Sequence, residues 1–110
     1  MQIIDQYIEA LENRDYQELA NLFTPDGYYI DYSVSNTPQN DYHLYGREAI
    51  SMFFRNRFLF RRYSISDPVV MNGRQAEFIA RIDDYNIMVI ASIQQSTADG
   101  HIRRLTVRRR

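Results

Sequence analysis

Asp31 is the residue with the strongest claim to chemistry. It closes Tyr28-Tyr29-Ile30-Asp31-Tyr32, an aromatic, apolar stretch that reads as a buried strand. A carboxylate taken out of water without a partner has its charged form disfavoured, which is the condition that suits a general base. Aspartate also ends strands and opens turns, so the pattern alone fits a structural role as well. Tyr29 shares the face of Asp31, because side chains alternate along a strand, and it would line whatever Asp31 looks into. Tyr7 falls within an apolar helical stripe, where a phenol serves either as a core residue or as a hydrogen-bond donor to a ligand. His43 stands in a polar stretch, open to a solvated role or to use as an acid or base.

The residue types that are missing narrow the chemistry further. All 13 basic residues are arginine, and the chain has neither lysine nor cysteine, which removes Schiff-base, P-loop lysine and thiol chemistry. His43 and His101 fall in no metal-ligand spacing, and the four glycines build no phosphate loop, so no metal and no cofactor is expected. Aspartate, glutamate, tyrosine, histidine, arginine and hydroxyls remain, a set suited to proton transfer and to binding polar ring compounds or anions. Net charge is −1 but unevenly spread: residues 1 to 54 hold nine acids and two arginines, residues 55 to 110 eleven arginines and five acids. The two halves should attract each other across the fold. The terminal arginines, Arg103-Arg104 and Arg108-Arg109-Arg110, lack interleaved aromatics in sequence and read as a solvated strand end, with no nucleic-acid partner expected.

Elements that could position these residues follow from hydrophobic periodicity. Ile3, Ile4, Tyr7, Ile8 and Leu11 recur at helical spacing, predicting a helix over residues 2 to 13. A second helix from Tyr16 to Phe23 opens on Asp15 with Glu18 three residues on, and Thr24-Pro25-Asp26-Gly27 is expected to turn the chain into the Asp31 strand. Residues 34 to 45 read as one long loop, a candidate lid or rim. Ala49, Ile50, Phe53, Phe54 and Phe58 trace the buried stripe of a third helix, residues 47 to 60, with Arg55, Arg61 and Arg62 expected at its solvent flank. Phe54 and Phe58 should belong to the core and line any pocket it encloses. Four alternating strands follow, at about 63 to 71, 74 to 83, 86 to 96 and 101 to 109, with Asn72-Gly73 signalling a type I′ hairpin. Glu77 and Arg81 share one strand face and are expected in a surface ion network. A chain of 110 residues with 45% apolar content supports one core, hence a single domain over 1 to 110. No apolar run reaches the roughly 20 residues of a membrane helix and no leader pattern opens the chain, so a cytoplasmic protein without a membrane partner is expected.

The order helix, helix, strand, helix and four strands, with Leu22-Phe23-Thr24-Pro25-Asp26-Gly27 and Tyr45-Gly46-Arg47-Glu48-Ala49-Ile50, resembles the nuclear transport factor two-like superfamily. That group includes SnoaL-like polyketide cyclases, ketosteroid isomerase and scytalone dehydratase. The resemblance implies one SnoaL-like α+β domain: a cone-shaped α+β barrel of order ααβαββββ, with three helices packed in a strongly curved antiparallel or mixed sheet and a pocket at its open end. Laid on ketosteroid isomerase without a gap over residues 7 to 31, the oxyanion-hole tyrosine falls on Tyr7 and the general-base aspartate on Asp31. The second oxyanion donor of that enzyme, an aspartate kept protonated by its apolar site, falls near Ser92, a weaker donor. His43 is implied as acid or base in dehydratase-like members.

What the resemblance implies is therefore an isomerase, cyclase or dehydratase acting on a small hydrophobic or aromatic carbonyl compound, with Asp31 as base and Tyr7 as oxyanion donor. Two other functions fit the same fold: a non-catalytic pocket protein, and a homodimeric interaction module whose sheet presents Ile79 and Ile90 outward.

Overall fold

A computed structural model describes residues 1 to 33 and 41 to 110. The elements run α1 (Ile3–Glu12), α2 (Tyr16–Asn21), β1 (Phe23–Asp31), β2 (Tyr42–Tyr45), α3 (Arg47–Phe60), β3 (Tyr63–Val70), β4 (Gln75–Ile82), β5 (Tyr85–Ser96) and β6 (Ile102–Arg109). Six strands form one curved sheet in the order β2-β1-β6-β5-β4-β3. It is antiparallel except where β1 lies parallel to β6. β2 and β3 are its edges, so the sheet is unclosed and the expected barrel is an open α+β layer. α1 packs on β3 and β4, α3 on β1 and β2, and α2 against α3.

The order is thus ααββαββββ, with a strand more than expected. Tyr42–Tyr45 pairs with Tyr28 to Asp31, so the loop predicted over 34 to 45 is strand at its end. A four-residue edge strand with two tyrosines, a histidine and a leucine leaves too short a pattern to separate from loop. The lid expected at residues 34 to 40 lies outside the described residues.

Thr24-Pro25-Asp26-Gly27 is also not a free turn. β1 already begins at Phe23, which pairs with Ile102, while Tyr28 pairs with Arg104, so the intervening residues form a large bulge inside the strand. Proline and glycine are tolerated there because a bulge breaks the ladder that they could not sustain. Leu22 and Phe23 consequently leave the predicted second helix, whose Asp15 cap does accept from the Glu18 backbone N–H at 3.0 Å.

Asn72-Gly73 sits between β3 and β4 as expected, yet not as a type I′ turn. That turn needs positive φ at both central residues, and neither has it. The Asn72 side chain accepts from the Arg74 N–H at 2.8 Å instead and Met71 N–H donates to Gln75, a wider loop held by an Asn-capped turn.

One face of the sheet and the helices enclose the core: Ile4, Tyr7, Leu11, Leu19, Phe23, Tyr29, Ile50, Phe54, Phe78, Val89, Ala91 and Leu105 are all buried. Their alternation with outward residues fixes the register, since a slip by one would expose the whole set. No helix among the described residues is long and apolar enough to cross a membrane.

Candidate functional site

Four elements bring polar groups to one point inside this core. β1 delivers Asp31 and Tyr29, α1 delivers Tyr7, β3 opens with Tyr63, and α3 contributes Arg57. Asp31 is 1% exposed and accepts four hydrogen bonds. The Tyr29 hydroxyl donates to Oδ2 at 3.0 Å, Arg57 Nη2 to Oδ2 at 3.1 Å, and the Ser33 N–H to Oδ1 at 2.8 Å, with the Ser33 hydroxyl as a fourth donor on Oδ1. Asp31 is buried, as its strand pattern implies, but not without a partner. An ionised carboxylate offers acceptors only, and each of its oxygens here meets two donors.

Arg57 is the residue that sequence reasoning missed. It is 6% exposed, and its guanidinium carbon lies 4.6 Å from the Phe53 ring centre and 4.7 Å from that of Tyr63. A place over two aromatic rings plus an ion pair is an environment that arginine fills and lysine does not. The signal was present: Ile50, Phe54, Arg57 and Phe58 follow helical spacing, so Arg57 lies within the buried stripe. Burial works against its cation, but Tyr29, Tyr63 and Asp31 outweigh burial and hold it charged above the ordinary arginine range.

The surrounding phenols stay neutral. Burial, then coupling to the neighbouring Tyr63 and to the charge of Asp31, pushes Tyr7 well above its ordinary value near 10. Burial followed by Asp31 does the same to Tyr29. Tyr63 is pushed up to about 12, with burial outweighing the lowering effect of Arg57. The structure therefore brings Tyr7, Tyr29 and Asp31 into one cluster.

It does not bring the other expected residues there. Phe54 is fully buried, with its ring edge-on to Tyr29 at 5.1 Å, and Phe58 stacks on Phe54 and Tyr63, so both belong to the core around the cluster. Ser92 alternates with the buried Ala91 and Ile93 and accepts from Gln75 Nε2 at 3.1 Å on the opposite face of the sheet. His43 is exposed on that same outer face, 2.6 Å from the Tyr28 hydroxyl. Each lies one strand position away from facing inward, and a one-residue offset reverses a strand side chain. Neither supplies a second donor or an acid to Asp31.

A cleft of about 570 Å³ reaches the cluster through Arg57, between Tyr42, Ile82, Tyr85 and Ile87. Arg61 and Arg109 stand at its sides. Arg61 donates twice to Asp83, from Nε at 3.0 Å and Nη2 at 2.7 Å, and Arg109 Nε donates to the Ser33 carbonyl at 2.7 Å. The C-terminal arginines are therefore more than a solvated strand end: Arg104 lies over Tyr28, Arg108 over Tyr32, and Arg110 pairs with Glu77 at 3.0 Å. Glu77 joins a surface ion pair as expected, with Arg110 rather than Arg81. No group of three or more possible metal ligands occurs among the described residues.

No family model matches the chain, and no curated protein does. Solved structures match over nearly its whole length. One is a proposed polyketide cyclase from Xanthomonas campestris, 19% identical, covering 98% of this chain and 87% of that one, with a TM-score of 0.70. Another is a proposed ketosteroid isomerase from Kribbella flavida, 18% identical, covering 98% and 75%, at 0.66. A third is a protein of ketosteroid isomerase-like fold from Catenulispora acidiphila in complex with trimethylamine, 18% identical, covering 96% and 82%, at 0.63. The chain has the ketosteroid isomerase-like fold. This is the fold that the resemblance of the motifs around Phe23 and Gly46 implies. At such identities the ketosteroid isomerase-like fold is what is shared, and function rests on the residues of the site.

Proposed function

We propose that this chain is a small-molecule pocket protein whose polar anchor is Arg57, held by Asp31 at the inner end of the cleft. The ion pair carries the reading. Asp31 is enclosed behind Arg57 with both oxygens engaged, whereas Arg57, with five N–H donors, lines the cleft. Asp31 then acts as the counter-ion that fixes the guanidinium, and Arg57 presents its donors to the oxygen of a small aromatic or apolar carbonyl compound. Rings at Tyr42 and Tyr85 and the side chains of Ile82 and Ile87 would enclose the body of that ligand.

A catalytic version has one observation in its favour. Tyr7, Tyr29 and Asp31 form a contiguous buried group, the residue types that proton abstraction next to a carbonyl requires. In that version Arg57 swings aside when a ketone enters, Asp31 takes the proton from carbon, and Tyr7 donates to the oxygen on which charge develops. An isomerase or cyclase would result. The dehydratase version through His43 loses its support, because His43 faces away from the cluster.

Both versions are tested with an aryl methyl ketone in deuterated buffer, following ligand binding and exchange of its α-protons by NMR. Binding that vanishes in Arg57→Gln, with no catalysed exchange, supports the anchor reading. Exchange that Asp31→Asn abolishes, with binding retained, replaces it with the catalytic one. Absence of binding in the cleft overturns both.

A homodimer through the outer sheet face is a compatible proposal. Ile79, Met88 and Ile90 lie on that face, opposite the inward Phe78, Val89 and Ala91, and Met88 is 41% exposed. Sedimentation of the full chain tests it.

A further inference from the structure

We infer that the cleft selects an organic anion, a small carboxylate carrying an aromatic or apolar body, rather than a neutral carbonyl compound. The inference rests on the reading of this cleft as the ligand site and goes beyond it in ligand class. Charge is the first argument. Three guanidiniums, Arg57, Arg61 and Arg109, line the cleft, against Asp83 at its rim and Asp31 behind it. Three positive charges against two leave one uncompensated. A neutral ketone would leave that charge unmet, and a cation would add to it. A carboxylate cancels it.

Positioning is the second argument. Each arginine is held before any ligand arrives: Arg57 by Asp31 and the flanking rings of Phe53 and Tyr63, Arg61 by Asp83, and Arg109 by the Ser33 carbonyl. A ligand that meets pre-positioned donors is spared much of the ordering cost of binding. The guanidinium fork matches a carboxylate in two parallel hydrogen bonds, a geometry that a single carbonyl oxygen cannot use fully. Depth is the third. Arg61 and Asp83 are exposed and mutually screened, so they contribute little to affinity. Arg57 is enclosed, where the attraction between opposite charges is stronger than in water. Arg57 is therefore the deep contact; Arg109, exposed like Arg61 but held by a carbonyl and not a carboxylate, keeps its charge for the ligand, and the apolar wall of Ile82 and Ile87 takes the rest.

The test is an NMR titration of the isotopically labelled full chain with benzoate, phenylacetate and cinnamate, each beside its neutral amide. At least one acid is expected to shift the signals of Tyr42, Arg57 and Ile87 and to bind about tenfold or more tighter than its amide, the loss expected for one charge-assisted hydrogen bond. Added salt should weaken the acid and leave the amide unaffected. Arg109→Gln should weaken the acid by a similar factor and not the amide. Acid and amide binding equally in the cleft, or an acid preference that Arg109→Gln leaves intact, overturns the anion inference while the pocket reading stands. If neither class shifts the cleft signals, the pocket reading fails and the inference with it.

Discussion

Arg57 Nη2 stands 3.1 Å from Asp31 Oδ2, across 26 residues of sequence, with both side chains enclosed. The pair ties the end of β1 to the last turn of α3, and it realises inside the core the attraction expected between the acidic and the arginine-rich halves of the chain. Its consequence for function is a reversal of roles. The carboxylate that the sequence marks as a base has its acceptors taken by Arg57, Tyr29 and Ser33, and the cation reaches the cleft.

A buried pair is costly to split and cheaper to replace whole. Asp31→Asn leaves Arg57 charged without its counter-ion, and Arg57→Met leaves the carboxylate enclosed with its phenol and serine donors alone. Each change should destabilise by about 3–5 kcal/mol, whereas the double variant should cost well under the sum of the two. Urea unfolding followed by circular dichroism gives the three values. Additive single effects would mean that the two groups do not act as a pair.

Alkaline pH should unfold the protein through its phenols. Tyr7, Tyr29 and Tyr63 ionise later in the fold than the ordinary value near 10, so the folded state holds more protons than the unfolded chain above that pH. By linkage the contribution is fully present below about pH 10 and is lost as pH rises through the folded values, which for Tyr63 means toward about 12. Tyrosine absorbance near 295 nm should show these three titrating together with unfolding, after the exposed phenols. Reversible titration of all nine tyrosines near pH 10 without loss of structure would contradict the burial.

How far the sequence discloses this arrangement varies with the length of the pattern. The third helix and the four-strand meander carry long, clean periods, and α3 and β3 to β6 match their expected spans to within about two residues. β2 is four residues long, and the bulge at Thr24 to Gly27 uses turn residues inside a strand, so both escape a reading built on period and punctuation. Burial of Asp31 and its shared face with Tyr29 were legible from alternation. Arg57 was legible only as a charged residue on an apolar stripe, and its pairing with Asp31 depends on how β1 meets α3, which no local pattern encodes. Ser92 and His43 were placed by alignment, where an error of one strand position exchanges the inner face for the outer.

Gly46 marks the point where β2 turns into α3, at φ 94° and ψ 147°, with its N–H donating to the Gly27 carbonyl at 2.7 Å. A Cβ added there would meet only the Pro25 carbonyl, at 3.6 Å, so space is not the obstacle. The backbone conformation is, because side-chain-bearing residues rarely adopt it, at a cost of about 1–3 kcal/mol. Gly46→Ala should lower stability by that amount, measured by thermal or urea unfolding, and should loosen the entry to the helix that carries Arg57. A neutral effect would show that the junction relaxes to another conformation.

The outer face offers a prediction that separates assembly from ligand binding. Ile90 pairs with Arg108 on one side and Glu77 on the other, and points away from the core that Val89 and Ala91 enter. Ile90→Glu therefore adds a charge without opening a cavity in that core, and should leave the fold and the Arg57 cleft intact. In a dimer formed through this face the same carboxylate would meet its symmetry mate or an apolar neighbour at the centre of a two-fold contact, where the two copies share one patch. Desolvated there, with only Arg108 beside it to offset Glu77 and its own symmetry mate, it should weaken association. Sedimentation equilibrium should then show the wild type as a dimer and Ile90→Glu as a monomer, with unfolding midpoints shifting only through the lost association. A wild-type monomer would remove the interaction reading, and a variant that still dimerises would place the contact elsewhere on the chain.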